Sequence, residues 1–377
     1  MQHFRAQRTK SRSVNRLNIR MRSRASTSKA ALSNRVNLKA IREIESTLSS
    51  FDHDHLELLS RGFDTDVMER PAEHEEIESW SLDALDYQAL DGAQHSDKAI
   101  LGWCLNVLSI SPIADAMIEE AEHEGWNFGL ADLETHDFHL DAIDKKVLIH
   151  NHGITPSAIA RSSYFMNAVM VSMMRGLRDI WQEKRHGGFE DYYGPEHILM
   201  LERVRAADLD VVSIMTAWEL RSQDHPEIWR HLLASDISDM AMAYGNALEQ
   251  RPFSNIRGNA ATAAFRKWYD SALRVNSCDH ETLDYLDDLS MQANGEDYHG
   301  DRKPTEIGFE ILSCMPDKTA YLKGWGDDLI SDPHFCGLDD PINQAHFLQI
   351  VNERAVIYKD GVGFRDTDLA AKIFPTL

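Results

Sequence analysis

Two stretches concentrate the side chains able to do chemistry. In RGLRDIWQ, residues 175–182, Arg175, Arg178, Asp179 and Gln182 recur three and four positions apart, and Glu202, Arg205, Asp208 and Asp210 cluster in LERVRAADLD, residues 201–210. On a helix such spacing gathers side chains onto one face. If the two stretches pair as antiparallel helices, Arg175 or Arg178 faces Asp208. The set then has two readings: salt bridges that fix helix register, or a candidate pocket made of Arg178, Asp179, Gln182, Glu202 and Asp208.

Histidines form the second set. His136, His139, His150 and His152 fall in or beside FHLDAIDKKVLIHN, residues 138–151, where positions two apart on a strand share a face. A metal held there by His150 and His152, with His186, Asp179 or Asp208 from elsewhere, is one possible arrangement. The contiguous triplet His150-Asn151-His152 resembles a nuclease signature in letters only, because that fold draws its residues from separated positions. Cys278-Asp279-His280 is no reactive dyad, since adjacent side chains diverge; Asp279 fits better as the N-cap of DHETLDYL. His53 and His55 read as a polar loop, and Trp103, Trp181, Trp218, Trp229 and Trp268 as core anchors. No Gly-rich strand-to-helix loop and no GxSxG elbow is present.

The elements that must position these residues follow from the apolar periodicity. Ser111 and Pro112 open a helix that Gly125 ends, after an earlier helical stretch from about Ser96. The period then changes to alternation through WNFGLADL and FHLDA, and KKVLIHN follows after a tight polar turn at Asp144 and Lys145, which predicts a small antiparallel sheet. Its last strand leads into a long helix over about 156–184, stopped by Gly187 and Gly188. A second long helix runs from Pro195 to about Arg221, another from Pro226 to before Pro252, and helical patterns follow at 258–275 and 279–293. The C-terminal segment reads as a helix at EIGFEILSCM, a loop over 318–340, a helix at INQAHFLQIVNER and an irregular tail. The fold class is α+β, predominantly helical, with no internal repeat.

The hairpin, the helix bearing Arg-x-x-Trp-Gln and the Asp-bearing helix after it resemble a bacterial putative metallopeptidase family catalogued as a domain of unknown function. The likeness covers about 96–294, and it implies a zincin-like core. In members of the family that look active, the first helix carries His-Glu-x-x-His before an aromatic-Gln pair, and the second a Glu two residues before an Asp. Two histidines four apart grip one zinc, the Glu accepts a proton from zinc-bound water, and a third ligand leaves one position open. Here the ligand positions hold Arg175 and Asp179, the general-base position Gly176, and the third-ligand position Ala206. A guanidinium cannot bind zinc and glycine has no proton acceptor. The resemblance therefore implies a degenerate site with no catalytic residue and no cofactor. The expected role is a non-catalytic protein that binds an unknown protein or peptide partner. Zinc returns only in the alternative, a metal-dependent hydrolase with relocated ligands such as His150, His152 or His186.

Composition sets the outer bounds. A chain of 377 residues with 43% hydrophobic and 27% charged residues can bury a large core. Its longest apolar runs fall short of the roughly 20 residues that span a bilayer. Four cysteines far apart, with no CxxC pair, fit a reduced cytoplasmic setting. The net charge of -22 hides an asymmetry, because residues 1–42 hold 12 Lys/Arg and no Asp/Glu. This basic arm is too poor in apolar residues to order itself. It can contact nucleic acid or an acidic surface weakly, which makes a charge-mediated interaction protein a further alternative, or act as a leader, fold back on the acidic body, be a solvated tail, or be an overextended start with Met21 as the initiator. The expected organisation is the arm at 1–42, a helical segment and acidic linker at 43–95, the core at 96–300, and a C-terminal segment at 301–377 packed on it.

Overall fold

The computed structural model describes residues 77–85, 90, 95–133, 136–190, 192–250, 256–292, 300, 302–354, 357–359 and 362–364. The basic arm, the 43–76 part of the acidic segment, and His53 and His55 lie outside the described residues.

A four-stranded sheet and a helical bundle share one apolar core. The strands are β1 (Trp80–Ser81), β2 (Asn127–Ala131), β3 (Phe138–Asp141) and β4 (Lys146–His150), in the order β1-β2-β4-β3. The predicted hairpin is present, with Phe138 opposite Ile149 and Asp141 opposite Lys146. Its turn is held by the Asp141 carboxylate, which accepts the N–H groups of Ile143 and Asp144, and Lys145 takes a positive φ of 48°. The sheet is mixed, not antiparallel, because β2 and β4 run parallel. The cause lies in the strands themselves. Val147, Leu148 and Ile149 are apolar on both faces and are covered only at a central position, whereas β3 alternates and suits the edge. Part of the acidic linker is also structured, since Trp80 and Ser81 pair with Phe128 and Asn127.

Ahead of the sheet, α1 (Asp97–Leu108) and α2 (Pro112–His123) start at serine caps: the Ser96 hydroxyl accepts from Ala99 N–H and that of Ser111 from Ala114 N–H. The helix predicted for 156–184 is two pieces, α3 (Pro156–Ala160) and α4 (Ser163–His186), because the Ser162 hydroxyl accepts from Phe165 N–H and restarts the helix. α4 lies across β3 and β4, and at Gly176 an added Cβ would stand 3.0 Å from a Val147 methyl. Next comes α5 (Pro195–Arg221), buried on nearly all sides. A helix so enclosed can keep charged residues only if each finds a partner indoors.

The helix predicted from Pro226 also divides, into α6 (Pro226–Leu233) and α7 (Ser238–Gln250), around Ser235, whose hydroxyl donates to the Leu232 carbonyl. After α8 (Ile256–Tyr269) comes α9 (Ala272–Gln292), one helix across the predicted start at 279. Asp279 is therefore not an N-cap. It sits mid-helix, buried, because the Arg203 guanidinium on α5 needs a carboxylate there. The C-terminal segment holds α10 (Glu306–Glu310) with a 3-10 turn after it, α11 (Gly326–Ser331), α12 (Pro333–Cys336), α13 (Pro341–Arg354) and a hairpin of β5 (Ile357–Lys359) and β6 (Val362–Phe364). Phe309, Leu312, Leu322, Phe335 and Ile350 join the common core. The four cysteines are all free, and no helix among the described residues is long and apolar enough to cross a membrane.

Candidate functional site: a buried charge ladder beside an open cleft

The polar residues of α4 and α5 meet as a ladder of ion pairs. At its middle rung, Arg178 Nε donates to Asp208 Oδ2 at 2.7 Å and Nη2 to Oδ1 at 3.2 Å, both side chains having no solvent exposure. Asp208 also accepts from the Gln182 amide and, at 2.7 Å, from the Tyr321 hydroxyl. Arg178 spends a further N–H on the carbonyls of Leu312 and Cys314, at 3.3 and 3.0 Å. One rung toward the N-terminus of α4, Arg175 bridges Asp137 at 2.6 Å and Asp210 at 2.7 Å, while Trp268 Nε1 donates to the other Asp210 oxygen. One rung the other way, Arg205 binds Asp179 at 2.7 Å and reaches Glu183 at 3.3 Å. The pairs climb α4 as they descend α5, which is antiparallel pairing.

Burial shapes the electrostatics. It pushes the Asp137 carboxyl up to about 6, against the pull of Arg175. Burial also opposes the charge on Arg175, but Asp210 and Asp137 outweigh it and hold the guanidinium above its ordinary range. Tyr321 is raised by burial and then by Asp208, so its hydroxyl stays a donor. His186, at the end of α4, is driven down to about 4 by burial and then by the Arg178 charge.

These side chains do not fit a zinc ion. The two positions that the resemblance gives to histidine ligands are Arg175, whose donors already serve two carboxylates, and Asp179, whose Oδ1 accepts from Arg205. Ala206 offers no ligand atom, and Gly176 faces Val147, Ile149 and Phe138 of the sheet. Of the five candidate-pocket residues, Arg178, Gln182 and Asp208 come together, with the Arg178 guanidinium and the Gln182 amide N–H both donating to Asp208. Asp179 serves the next rung, and Glu202 lies half-buried on α5, six residues or about 9 Å along the axis from Asp208.

The relocated candidates stay apart. His150 Nδ1 accepts the Leu133 N–H at 3.0 Å, which fixes its tautomer with the proton on Nε2 and leaves no lone pair for a metal. His152 packs edge-on to it, with ring centroids 4.6 Å apart, and is driven down to about 4 by burial and then by His150. His186 is at the far end of α4, in the field of Arg178 and Asp208. Among the described residues, no three ligand atoms from His150, His152, His186, Asp179 and Asp208 converge on one point.

The depressed histidines give a pH dependence with a definite sign. Between about 6.5, the ordinary imidazole value, and the folded value near 4, the unfolded chain takes up protons that the folded chain refuses. Stability is therefore full above that window and falls as pH drops through it. Asp137, raised to about 6, acts in the opposite direction. His186→Gln should make the loss of Tm between about pH 7 and about pH 5 shallower than in the wild type. An unchanged slope in a calorimetric scan would mean that His186 titrates normally.

An open cleft of about 1060 Å³ adjoins the ladder, with Met215, Thr262, Met315 and Trp325 among its lining. Tyr321 belongs to both, since it lines the cleft and its hydroxyl binds Asp208. Exposed Arg266, Lys318 and Lys323 also belong to the lining, and Arg266 lies over the Trp325 ring at 5.3 Å. The two carboxylates of the lining are already engaged: Glu219 by the Ser111 hydroxyl, Asp317 by Thr319. Sequence reasoning missed Asp137 and Tyr321, and it read Trp268 as a core anchor and Asp279 as a cap without their charged partners. They come from separate parts of the chain and share no spacing signal.

Residues 159–322 match the model of the Putative metallopeptidase family (DUF6782). The matched region begins at α3 and takes in all of α4 and α5. It reaches Tyr321 but leaves out the sheet and Asp137. No curated protein and no solved structure matches the chain.

Proposed function

We infer that the metallopeptidase-family region of this chain is a non-catalytic binding scaffold, which holds a protein or peptide partner without cutting it. The observation that carries this reading is the middle of α4, where Arg175 and Asp179, at the two ligand positions of the resemblance, are consumed by Asp137, Asp210 and Arg205. An ion-pair ladder takes the place of a metal and its ligands, and the general-base position is a glycine turned to the sheet. The cleft beside the ladder is where such a partner binds. Its apolar lining suits side chains, and Arg266, Lys318 and Lys323 favour a segment that carries carboxylates.

The test is to incubate the purified chain with a mixed peptide library and added zinc, and to follow cleavage by mass spectrometry. No new peptide termini should form. Acidic peptides should instead be retained, and the Lys318→Glu/Lys323→Glu variant should retain them about tenfold less, as for the loss of about 1.4 kcal/mol. Cleavage that disappears with chelator and in Asp179→Ala would sink the reading.

A further inference from the structure

We propose that α9 and α13 carry a transition-metal site of the zinc class, formed by His280, Asp284 and His346 and oriented by Asp287. The site is independent of the charge ladder, and neither the family match nor the cleft points to it.

Three ligand atoms converge there. His280 and Asp284 stand four apart on α9 and project from one face, with His280 Nε2 3.5 Å from Asp284 Oδ2. From α13, His346 brings Nδ1 to 4.0 Å from Asp284 Oδ1, and all three ligand atoms lie within 4.8 Å of one another. Bonds of about 2.0–2.1 Å in a tetrahedron put ligand atoms about 3.3 Å apart. Closing the remaining gap takes movement of about an ångström. The ends of His280 and Asp284 can supply it, because each side chain is 58% exposed.

The second observation lies behind the ligands. His346 Nε2 is hydrogen-bonded to the Asp287 carboxylate. A carboxylate is acceptor-only when ionised, so the imidazole proton sits on Nε2 and the Nδ1 lone pair is directed toward Asp284. This is the carboxylate–histidine–metal arrangement in which an outer carboxylate fixes the tautomer and orientation of a ligand. His346 and Asp287 are also the better buried members, at 18% and 23% side-chain exposure, so the oriented half of the site is the rigid half.

The donor set selects the ion. Two imidazoles and one carboxylate suit zinc and its neighbours, whereas calcium and magnesium favour all-oxygen shells. Three protein ligands on an exposed face leave the fourth position to water. The consequence is structural: α9 lies within the matched region 159–322 and α13 beyond it, so the ion clamps the C-terminal helix to the family region. The ion adds to ties already there, the His346–Asp287 hydrogen bond and the donation from Asn343 Nδ2 to the Asn276 carbonyl.

The experiment is a titration of the full chain, first stripped with chelator, with zinc by calorimetry and with cobalt by visible absorption. One ion per chain should bind, give the intense visible bands of tetrahedral cobalt, and raise Tm. His280→Ala and His346→Ala should each weaken binding at least about tenfold, and Asp287→Asn by about 10–100-fold. Asp288→Asn, which removes the same charge from an exposed neighbour, should leave it unchanged. Far-UV circular dichroism of each variant checks that the fold persists. No stoichiometric ion, or an ion indifferent to both histidines, overturns the proposal. If binding is instead lost in Asp179→Ala and kept in His346→Ala, this site and the non-catalytic reading both fall.

Discussion

Asp208→Ala should destabilise the fold by about 3–5 kcal/mol, read as a lowered midpoint in urea unfolding with little change in slope. The substitution removes the carboxylate that Arg178 contacts and, among the described residues, leaves a guanidinium at zero exposure with carbonyl partners alone. It also removes one of the two acceptors of the Gln182 amide, which keeps the Leu312 carbonyl, and the acceptor of the buried Tyr321 hydroxyl. The cost comes from stranding a charge, not from losing a strong attraction, and a double variant makes the distinction. Arg178→Met/Asp208→Leu removes both charges and should recover most of the loss. A loss below about 1 kcal/mol for Asp208→Ala would mean that water reaches the pair, as it does at surface salt bridges.

Gly176→Glu should have an effect at least as large. A Cβ at this position meets a Val147 methyl at 3.0 Å, with Ile149 and Phe138 each 3.8 Å away. Gly176→Ala should cost about 1–3 kcal/mol, since a close-packed helix-sheet contact must open to admit one methyl. Glutamate starts a carboxylate-bearing side chain against the apolar Val147, Ile149 and Phe138, and the sum exceeds about 4–5 kcal/mol. Thermal unfolding compared across the wild type, the alanine and the glutamate variants gives the order. If Gly176→Glu folds with native stability, position 176 opens to solvent and can hold a general base. The non-catalytic reading would then lose its second support.

The expected results share one physical origin. α5 is surrounded by helices on nearly every side, yet it carries Arg203, Arg205, Asp208 and Asp210, all buried. The fold tolerates them because each has an opposite charge within hydrogen-bond distance on α4 or α9, or a donor on α8. Such networks tie helix register to chemistry. One substitution is felt along the whole interface.

Much of the scaffold was legible in the amino-acid order. An apolar face marked α1, a serine cap followed by proline marked α2, alternation marked β2 and β3, and Gly187 marked the end of α4. Those signals are local, set by φ/ψ preference and by side-chain periodicity, so a single sequence carries them. Which residue types stand at 175, 176, 179 and 206 is likewise read from the sequence, and with them which side chains carry a donor, an acceptor or neither.

Pairing was decided by the tertiary structure. Helical spacing places Arg175, Arg178 and Asp179 on one side of α4, but which carboxylate each meets depends on the register of α5 and on loops more than a hundred residues away that bring Tyr321 and the Leu312 carbonyl. The same holds for the parallel pairing of β2 with β4, where burial on both faces overrode the expectation of simple hairpins. Asp279 is a further case: its sequence neighbours suggest a cap, while a guanidinium 76 positions away makes it a core residue. His280 and His346 show no common pattern along the chain and meet only because α13 packs on α9. Sequence fixes the face that a side chain points to, through backbone geometry. The partner on that face is fixed by packing, where burying apolar surface brings together charges that must then satisfy one another.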